Sequence, residues 1–431
     1  MNTRKINRES KNEDLWKSIS SENIFPLNLE KYNIFTRQEI RKNIEKASKL
    51  KNYNILATRG NVLDGISELD STNTLWTSGV KTWYSLAKKG FWVNANRNNA
   101  RKVFIRAAGN GFKSFDTSNG KKECPLASSY NLPCGTTTMD PIADHPVIIN
   151  VAAIAPDGKA DENSNQGAAN WISAPHGSYV SSEDCWHLAD CKTARYTWGT
   201  SWAAPMVSGV VALMLEANPA LTWRDVKYIL AKTAVQIDHG NQQKRPSIII
   251  KGVNVEQGWT TNAAEFTFHN AYGFGLVDTK DAVELAKVYR SDNLGDFVKY
   301  DGLTSSTLDM SIHPNNLYES TINQSISGII EAVKVKIYIE SEHISDLSFA
   351  LVSPSETRSV ILSPFNAIES IEDGYFELSS NAFYGETMQG EWKIEVYDHL
   401  IDSTKQDRSD TSNNVTRLNS WSLKLYGHDK N

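Results

Sequence analysis

The apolar and polar positions of this chain change period along its length. Residues 1–27 are polar and patternless, too poor in apolar side chains to build a core, and are expected to be poorly ordered. Thr36 followed by Glu39 forms a capping-box pattern, and a charged helix is expected to run to Leu50. Asn54–Ala57 reads as a short buried strand. Residues 75–89 place Val80, Trp83, Leu86 and Ala87 near helical spacing. Residues 102–108 read as a strand running into Gly109-Asn110-Gly111, and residues 147–153 as a second apolar strand. Helix and strand in alternation predict a parallel α/β sheet with helices on both faces. Residues 201–216 are small and apolar nearly all round, as in a buried helix, and Asn218-Pro219 ends it. Thr222 with Asp225 caps a further helix with the stripe Val226, Ile229, Leu230. The glycine-rich turn at 272–278 precedes a helix expected to reach about Tyr289.

After about Gly295 the helical period disappears. Residues 332–340 alternate apolar and polar with period two, as a half-buried strand does. Similar short runs recur at 347–352, 392–396 and 420–425 with turn residues between them. An all-β sandwich is expected there. The chain thus divides into a poorly ordered segment 1–27, an α/β part 28–294 and a β-sandwich 295–431. The biased stretch 402–414 reads as a solvated loop.

The 431 residues suit two or three domains, and 40% hydrophobic with 22% charged residues is the balance of a soluble globular protein. A net charge of −5 and a pI near 6.0 offer nothing to phosphate backbones, so no nucleic-acid partner is expected. No apolar run approaches the roughly 20 residues that span a bilayer, so no membrane partner is expected either. The N-terminus has basic residues but no apolar stretch after them, so no signal peptide is expected. The cysteines point the other way. Cys124 with Cys134 and Cys185 with Cys191 form two close pairs in loop-like sequence. Two local disulfides in an oxidising compartment are the simple reading. A zinc site is the rival, weakened by the lack of a Cys-x-x-Cys and by scattered histidines.

The strongest chemical signal is Gly-Thr-Ser-Trp-Ala-Ala-Pro-Met-Val-Ser-Gly at 199–209. It sets Ser201 at the start of a helix among small neighbours. A helix N-terminus offers free N–H groups and partial positive charge, which stabilise the oxyanion formed when a serine attacks a carbonyl. An N-cap alone would not explain Ala203, Ala204, Pro205 and Gly209 together. The segment resembles the G-T-S-x-A-x-P-x-V-x-G signature of subtilisin-like serine proteases, and Ser201 matches the nucleophile. Ala-Ala-Gly-Asn-Gly at 107–111 resembles that family's A-A-G-N-x-G, whose asparagine donates to the oxyanion; Asn110 takes that place.

Further residues are similar to the kexin-like branch. Asn-Pro-Ala-Leu-Thr-Trp-Arg-Asp at 218–225 resembles its N-P-x-L-T-W-R-D. The β region resembles its jelly-roll P domain through Asp346-Leu347, residues 351–357, Tyr384-Gly385-Glu386, Gly390-Glu391-Trp392 and residues 421–427. The resemblance implies a serine endopeptidase acting on protein or peptide substrates after basic residues, secreted or periplasmic. It admits a propeptide, a chaperone or a separate N-terminal half as partner. A basic side chain in a pocket needs a carboxylate, and Asp140 matches the pocket aspartate by position, although Pro141-Ile142 replaces the usual Gly-Tyr. The plain alternative is a solvated loop carboxylate. Structural calcium accompanies the family, yet no segment spells out a ligand loop.

The family also needs a general base and a carboxylate to orient it. Its histidine precedes A-A-G-N, but the first of nine histidines here is His145, which follows Asn110. His176, in Pro-His-Gly-Ser, mimics the histidine motif, but its surroundings match a different segment, so it reads as an insertion. Asp70-Ser71-Thr72 lacks the apolar strand and glycine of the aspartate motif and reads as a cap or loop. His187 reads as a surface residue. N-terminal truncation is the expected cause, leaving a chain with little activity of its own. The alternative is a pseudoprotease that binds rather than cleaves.

Overall fold

The computed structural model describes residues 103–117, 120–138, 140–176, 199–240, 243–290, 293–305, 307–368, 374–400 and 416–429, together with six short strand backbones elsewhere. Two compact units divide the chain at Lys102 and Val103. In the first, β1 (Trp16–Ile19), β2 (Tyr32–Asn33), β3 (Asn54–Ala57) and β4 (Thr74–Thr77) form a sheet in the order β2-β1-β3-β4. All its pairings are parallel. The strand expected at 54–57 is β3. The expected helix at 75–89 differs at its start: Thr-Leu-Trp-Thr, with two threonines and a tryptophan that favour strand, joins β3 as β4. The rest of that helix and the one expected at 36–50 lie outside the described residues.

The second unit begins with β5 (Phe104–Ala107). A hairpin of β6 (Ser114–Thr117) and β7 (Gly120–Glu123) and the short helix α1 (Pro125–Ser129) follow. Next come β8 (Ile148–Ile154) and β9 (Ile172–Pro175), which make a parallel sheet β5-β8-β9. Every residue of β8 is buried, as its unbroken Ile-Ile-Asn-Val-Ala-Ala-Ile run requires of a central strand. Two short strands, β10 (Tyr179–Val180) and β11 (Arg195–Tyr196), pair before the helix α2 (Thr200–Ala217).

α2 packs on β5, β8 and β9 through Ala203, Val207, Val210, Val211 and Met214. Its length and hydropathy match a membrane span, but that inner stripe lies in the core of this unit. The sequence suggests burial all round; instead Trp202, Met206 and Leu213 are exposed on the outer face. Residue type alone does not fix which side a uniformly apolar helix buries.

α3 (Trp223–Thr233) starts with the expected capping box. The Asp225 N–H donates to Thr222 Oγ1 at 3.2 Å and the Thr222 N–H to Asp225 Oδ2 at 2.8 Å. Two small hairpins, β12 (Ile248–Ile250) with β13 (Val253–Glu256) and β14 (Thr260–Thr261) with β15 (Thr267–Phe268), lead to α4 (Thr279–Val288), which packs on α2 and α3.

The C-terminal part is an antiparallel sandwich. Its strands are β16 (Val298–Thr304), β17 (Met310–Ile312), β18 (Leu317–Gln324), β19 (Ile329–Glu340), β20 (Leu347–Val352), β21 (Arg358–Leu362), β22 (Tyr375–Ser380), β23 (Gly390–Asp398) and β24 (Thr416–His428). One sheet runs β16-β24-β19-β22, with β17 also on β24; the other runs β18-β23-β20-β21. Phe349, Phe383, Trp392 and Trp421 fill the space between them. The loop expected at 402–414 lies outside the described residues.

Within this second unit the sandwich is joined to the α/β part by buried contacts. Trp171, Phe266 and Phe274 meet the Tyr384 ring edge to face. Asn262 donates to the Ala382 and Tyr384 carbonyls at 2.9 Å each, and the Asn381 N–H to the Ala168 carbonyl at 2.9 Å. Arg224 of α3 pairs with Glu331 of β19, and Lys334 of β19 pairs with Asp144 at 2.7 Å.

Candidate active site

β5 delivers the chain to Gly109, whose φ of +102° is a left-handed conformation. A Cβ there would lie 2.5 Å from Asn165 Nδ2, so glycine is required twice over. Asn165 then fastens the turn: its side-chain oxygen accepts the Gly111 N–H at 2.6 Å, and its own N–H donates to the Gly109 carbonyl at 2.8 Å. Behind the turn, the Cys134 N–H donates to the Phe112 carbonyl and the Gly135 N–H to the Gly111 carbonyl, both at 2.8 Å. The Cys124–Cys134 disulfide closes that supporting loop. This pair is therefore not a zinc ligand pair; Cys185 and Cys191 lie outside the described residues.

Asn110, at the head of the turn, reaches the N-terminus of α2. Its carboxamide oxygen accepts the Thr200 N–H at 2.9 Å and the Thr200 hydroxyl at 3.0 Å. Thr200 Oγ1 in turn accepts the Gly109 N–H at 3.1 Å. Because the oxygen is committed, the amide Nδ2 is the group left to donate. Gly199 makes the approach feasible: its φ is +98°, and a Cβ would come within 3.0 Å of the Asn110 carboxamide.

Ser201 follows directly, exposed in the first turn of α2. Of the first-turn N–H groups, that of Thr200 goes to Asn110 and that of Trp202 to the Gly199 carbonyl at 3.1 Å, which leaves that of Ser201. Pro205 has no N–H to give the Ser201 carbonyl, which loosens the first turn. The geometry thus brings an exposed hydroxyl, a helix N-terminus and a carboxamide donor to one place.

Asp140 is not a freely solvated carboxylate. Its Oδ2 meets Arg106 Nη2 at 2.5 Å, and its Oδ1 accepts the Ile142 and Ala143 N–H groups at 2.9 and 3.2 Å. Arg106, on β5, is a residue the sequence reading passes over. So are Asn165 and Thr200, whose roles depend on contacts between distant segments.

No described histidine is hydrogen-bonded to Ser201. His176, which reads as an insertion, is a buried side chain directly after β9, with Nε2 at 2.9 Å from buried Asp161. His145 is also enclosed: burial, with Lys334 and Lys227 nearby, lowers its pKa to about 3. His399 Nε2 meets Ser348 Oγ at 2.8 Å, but both side chains are buried in the sandwich. Asp70 and His187 lie outside the described residues. Among the described residues no group of three or more His, Cys, Asp or Glu is arranged to hold a metal, so they supply no fit for a calcium ion.

A serine at a helix N-terminus beside a carboxamide, carried by a parallel sheet, is the arrangement that can stabilise an oxyanion formed on attack at a carbonyl. The chain belongs to the subtilase family, which residues 24–275 match, and residues 330–425 match the proprotein convertase P-domain. The pair of domains is that of the kexin-like branch.

Among its relatives is the Aeromonas extracellular serine protease of Aeromonas sobria, 29% identical over 391 residues, covering 76% of this chain and 62% of that protein. Human proprotein convertase subtilisin/kexin type 5 is 30% identical over 352 residues, covering 78% of this chain and 16% of that protein. The crystal structure of the A. sobria serine protease superposes with a TM-score of 0.65 at 25% identity, covering 86% of this chain and 71% of that one. The same protease in complex with a chaperone gives a TM-score of 0.64 at 24% identity, covering 93% and 77%. The chain therefore spans under two thirds of the length of these sequence relatives.

Proposed function

We propose that this chain is a serine endopeptidase, or the nucleophile-bearing part of one, that cleaves proteins or peptides through an acyl-enzyme on Ser201. The observation that carries the reading is the Asn110 carboxamide seated on Thr200, next to Ser201. Ser201 Oγ attacks the scissile carbonyl and gives up its proton, the oxygen gains charge and takes hydrogen bonds from Asn110 Nδ2 and the Ser201 N–H, the C–N bond breaks as the amine leaves with that proton, and water then splits the ester, one of its protons returning to Oγ and its hydroxyl going to the acid. Asp140 is the carboxylate for a basic side chain in the first pocket. Cys124–Cys134 suits an oxidising compartment, and secretion follows the extracellular relative. A chaperone-like partner fits the complex known for the A. sobria protease. Structural calcium is a proposal from the family resemblance alone.

A serine without a base is a weak nucleophile. That favours, as second reading, a binding scaffold that retains the site but not the turnover, since no described histidine reaches Ser201. Labelling by a fluorophosphonate probe separates the two. Rapid labelling that disappears in Ser201→Ala establishes an activated serine. A folded chain that resists the probe retires the catalytic reading for this chain and leaves the scaffold.

A further inference from the structure

We propose that Arg106 is a specificity-determining residue: it occupies the Asp140 carboxylate that a basic substrate side chain would use, and so flattens the preference of this chain for Lys and Arg. The inference rests on the reading of Asp140 as the pocket carboxylate.

The ion pair is close, 2.5 Å, and neither side chain is sealed: Arg106 is 27% and Asp140 32% exposed. An incoming side chain can therefore compete for it. Asp140 is aimed at Arg106 by its other oxygen, which the Ile142 and Ala143 N–H groups hold. Carboxylate and guanidinium share one short hydrogen bond rather than a two-pronged fork, which makes the contact the weaker, exchangeable kind. Arg106 Nη1 is buried and has no hydrogen-bond partner among the described residues. Among the described residues the guanidinium is tethered through Asp140 alone.

Charge then decides the outcome. A cationic side chain must displace Arg106 or sit beside it, and like charge opposes both. A neutral side chain need not disturb the pair. Arg106 lies on β5, in the run that leads straight into Asn110, so a change at the pair sits on the element that carries the oxyanion donor.

The test is fluorescence anisotropy in a Ser201→Ala background, which keeps peptides intact. Two labelled peptides differ only in arginine or norleucine at one position. They are titrated into the parent, Arg106→Ala, Arg106→Gln, Arg106→Lys, Asp140→Asn and the Arg106→Ala/Asp140→Asn double variant, each checked for folding by circular dichroism. Arg106→Ala and Arg106→Gln are expected to bind the arginine peptide about 10-fold more tightly, a free energy typical of a hydrogen bond to a charged group. Norleucine binding stays unchanged, Arg106→Lys behaves as the parent, and the double variant loses the gain. If Asp140→Asn weakens arginine binding while the Arg106 variants leave the arginine-to-norleucine ratio at its parent value, Arg106 does not compete and the inference fails. If Asp140→Asn changes neither peptide in any background, the pocket assignment of Asp140 fails first and takes the inference with it.

Discussion

Gly199 shows how much of the site hangs on one residue. Its backbone at φ +98° is open to glycine and strained for any other residue, and its missing side chain gives Asn110 room to reach Thr200. Alanine there meets both obstacles at once. Gly199→Ala is expected to lower stability by about 1–3 kcal/mol, the range for a residue forced into that region. It should also push the Asn110 carboxamide off α2. Thermal unfolding reads the first effect; the second is read by the Asn110 side-chain amide resonances, which should lose their protected position. A variant as stable as the parent with an unmoved Asn110 signal contradicts the steric argument. The sequence discloses Gly199 only as part of a motif. The reason for it, a carboxamide arriving from a distant turn, is a tertiary contact.

At the scale of elements, the loop closed by Cys124–Cys134 supports the turn that carries Asn110, through the Phe112 and Gly111 carbonyls. A covalent link over a sequence separation of 10 removes freedom mainly from the unfolded chain; for a loop of that size the loss on reduction is about 3 kcal/mol. Cys124→Ser/Cys134→Ser is therefore expected to unfold at a lower denaturant midpoint with an unchanged slope. Hydrogen exchange at Gly111 and Gly135 should rise before that of β8. Equal protection in both proteins would separate the disulfide from the turn.

Elements with a clean period are legible from sequence. β5, β8, α2, α3, α4 and the sandwich strands β19, β20, β23 and β24 fall where alternation, capping pairs and apolar runs place them. Shorter pieces are not. The β12–β13 hairpin is a few residues long, and its Ile-Ile-Ile run carries no period. β4 was hidden by a longer run at near-helical spacing. The Arg106–Asp140 pair is illegible for another reason: its partners are 34 residues apart, and nothing local distinguishes either charge from a solvated one.

For residues 103–431 as a whole, the α/β part and the sandwich share one buried seam, and its charges set the terms of stability. Arg224 donates through Nε to Glu331 Oε2 at 2.8 Å and through Nη2 to Oε1, while His428 Nδ1 meets Oε1 at 2.6 Å. Burial alone would raise the Glu331 carboxyl pKa; the hydrogen bonds from Arg224 and His428 outweigh it and hold the group below its ordinary value of 4.5. A carboxylate depressed in the folded state contributes stability above its unfolded pKa and loses it as pH falls through the folded one. Glu331 thus stabilises the seam at neutral pH and progressively loses that contribution as pH falls below about 4.5. Removing the charge strands a buried guanidinium, which costs about 3–5 kcal/mol.

Because the Trp171–Tyr384 contact, the Asn262 and Asn381 hydrogen bonds and this ion pair all cross the same seam, the two parts are expected to melt together. Calorimetry of the parent should show one transition for this unit. In Glu331→Gln that transition should move down as one peak at pH 7, and the gap to the parent should narrow as pH falls below 4.5. Two peaks in the parent, or a gap that holds constant to pH 3, would mean that the sandwich is an appended module and that the seam does not couple it to the serine-bearing sheet.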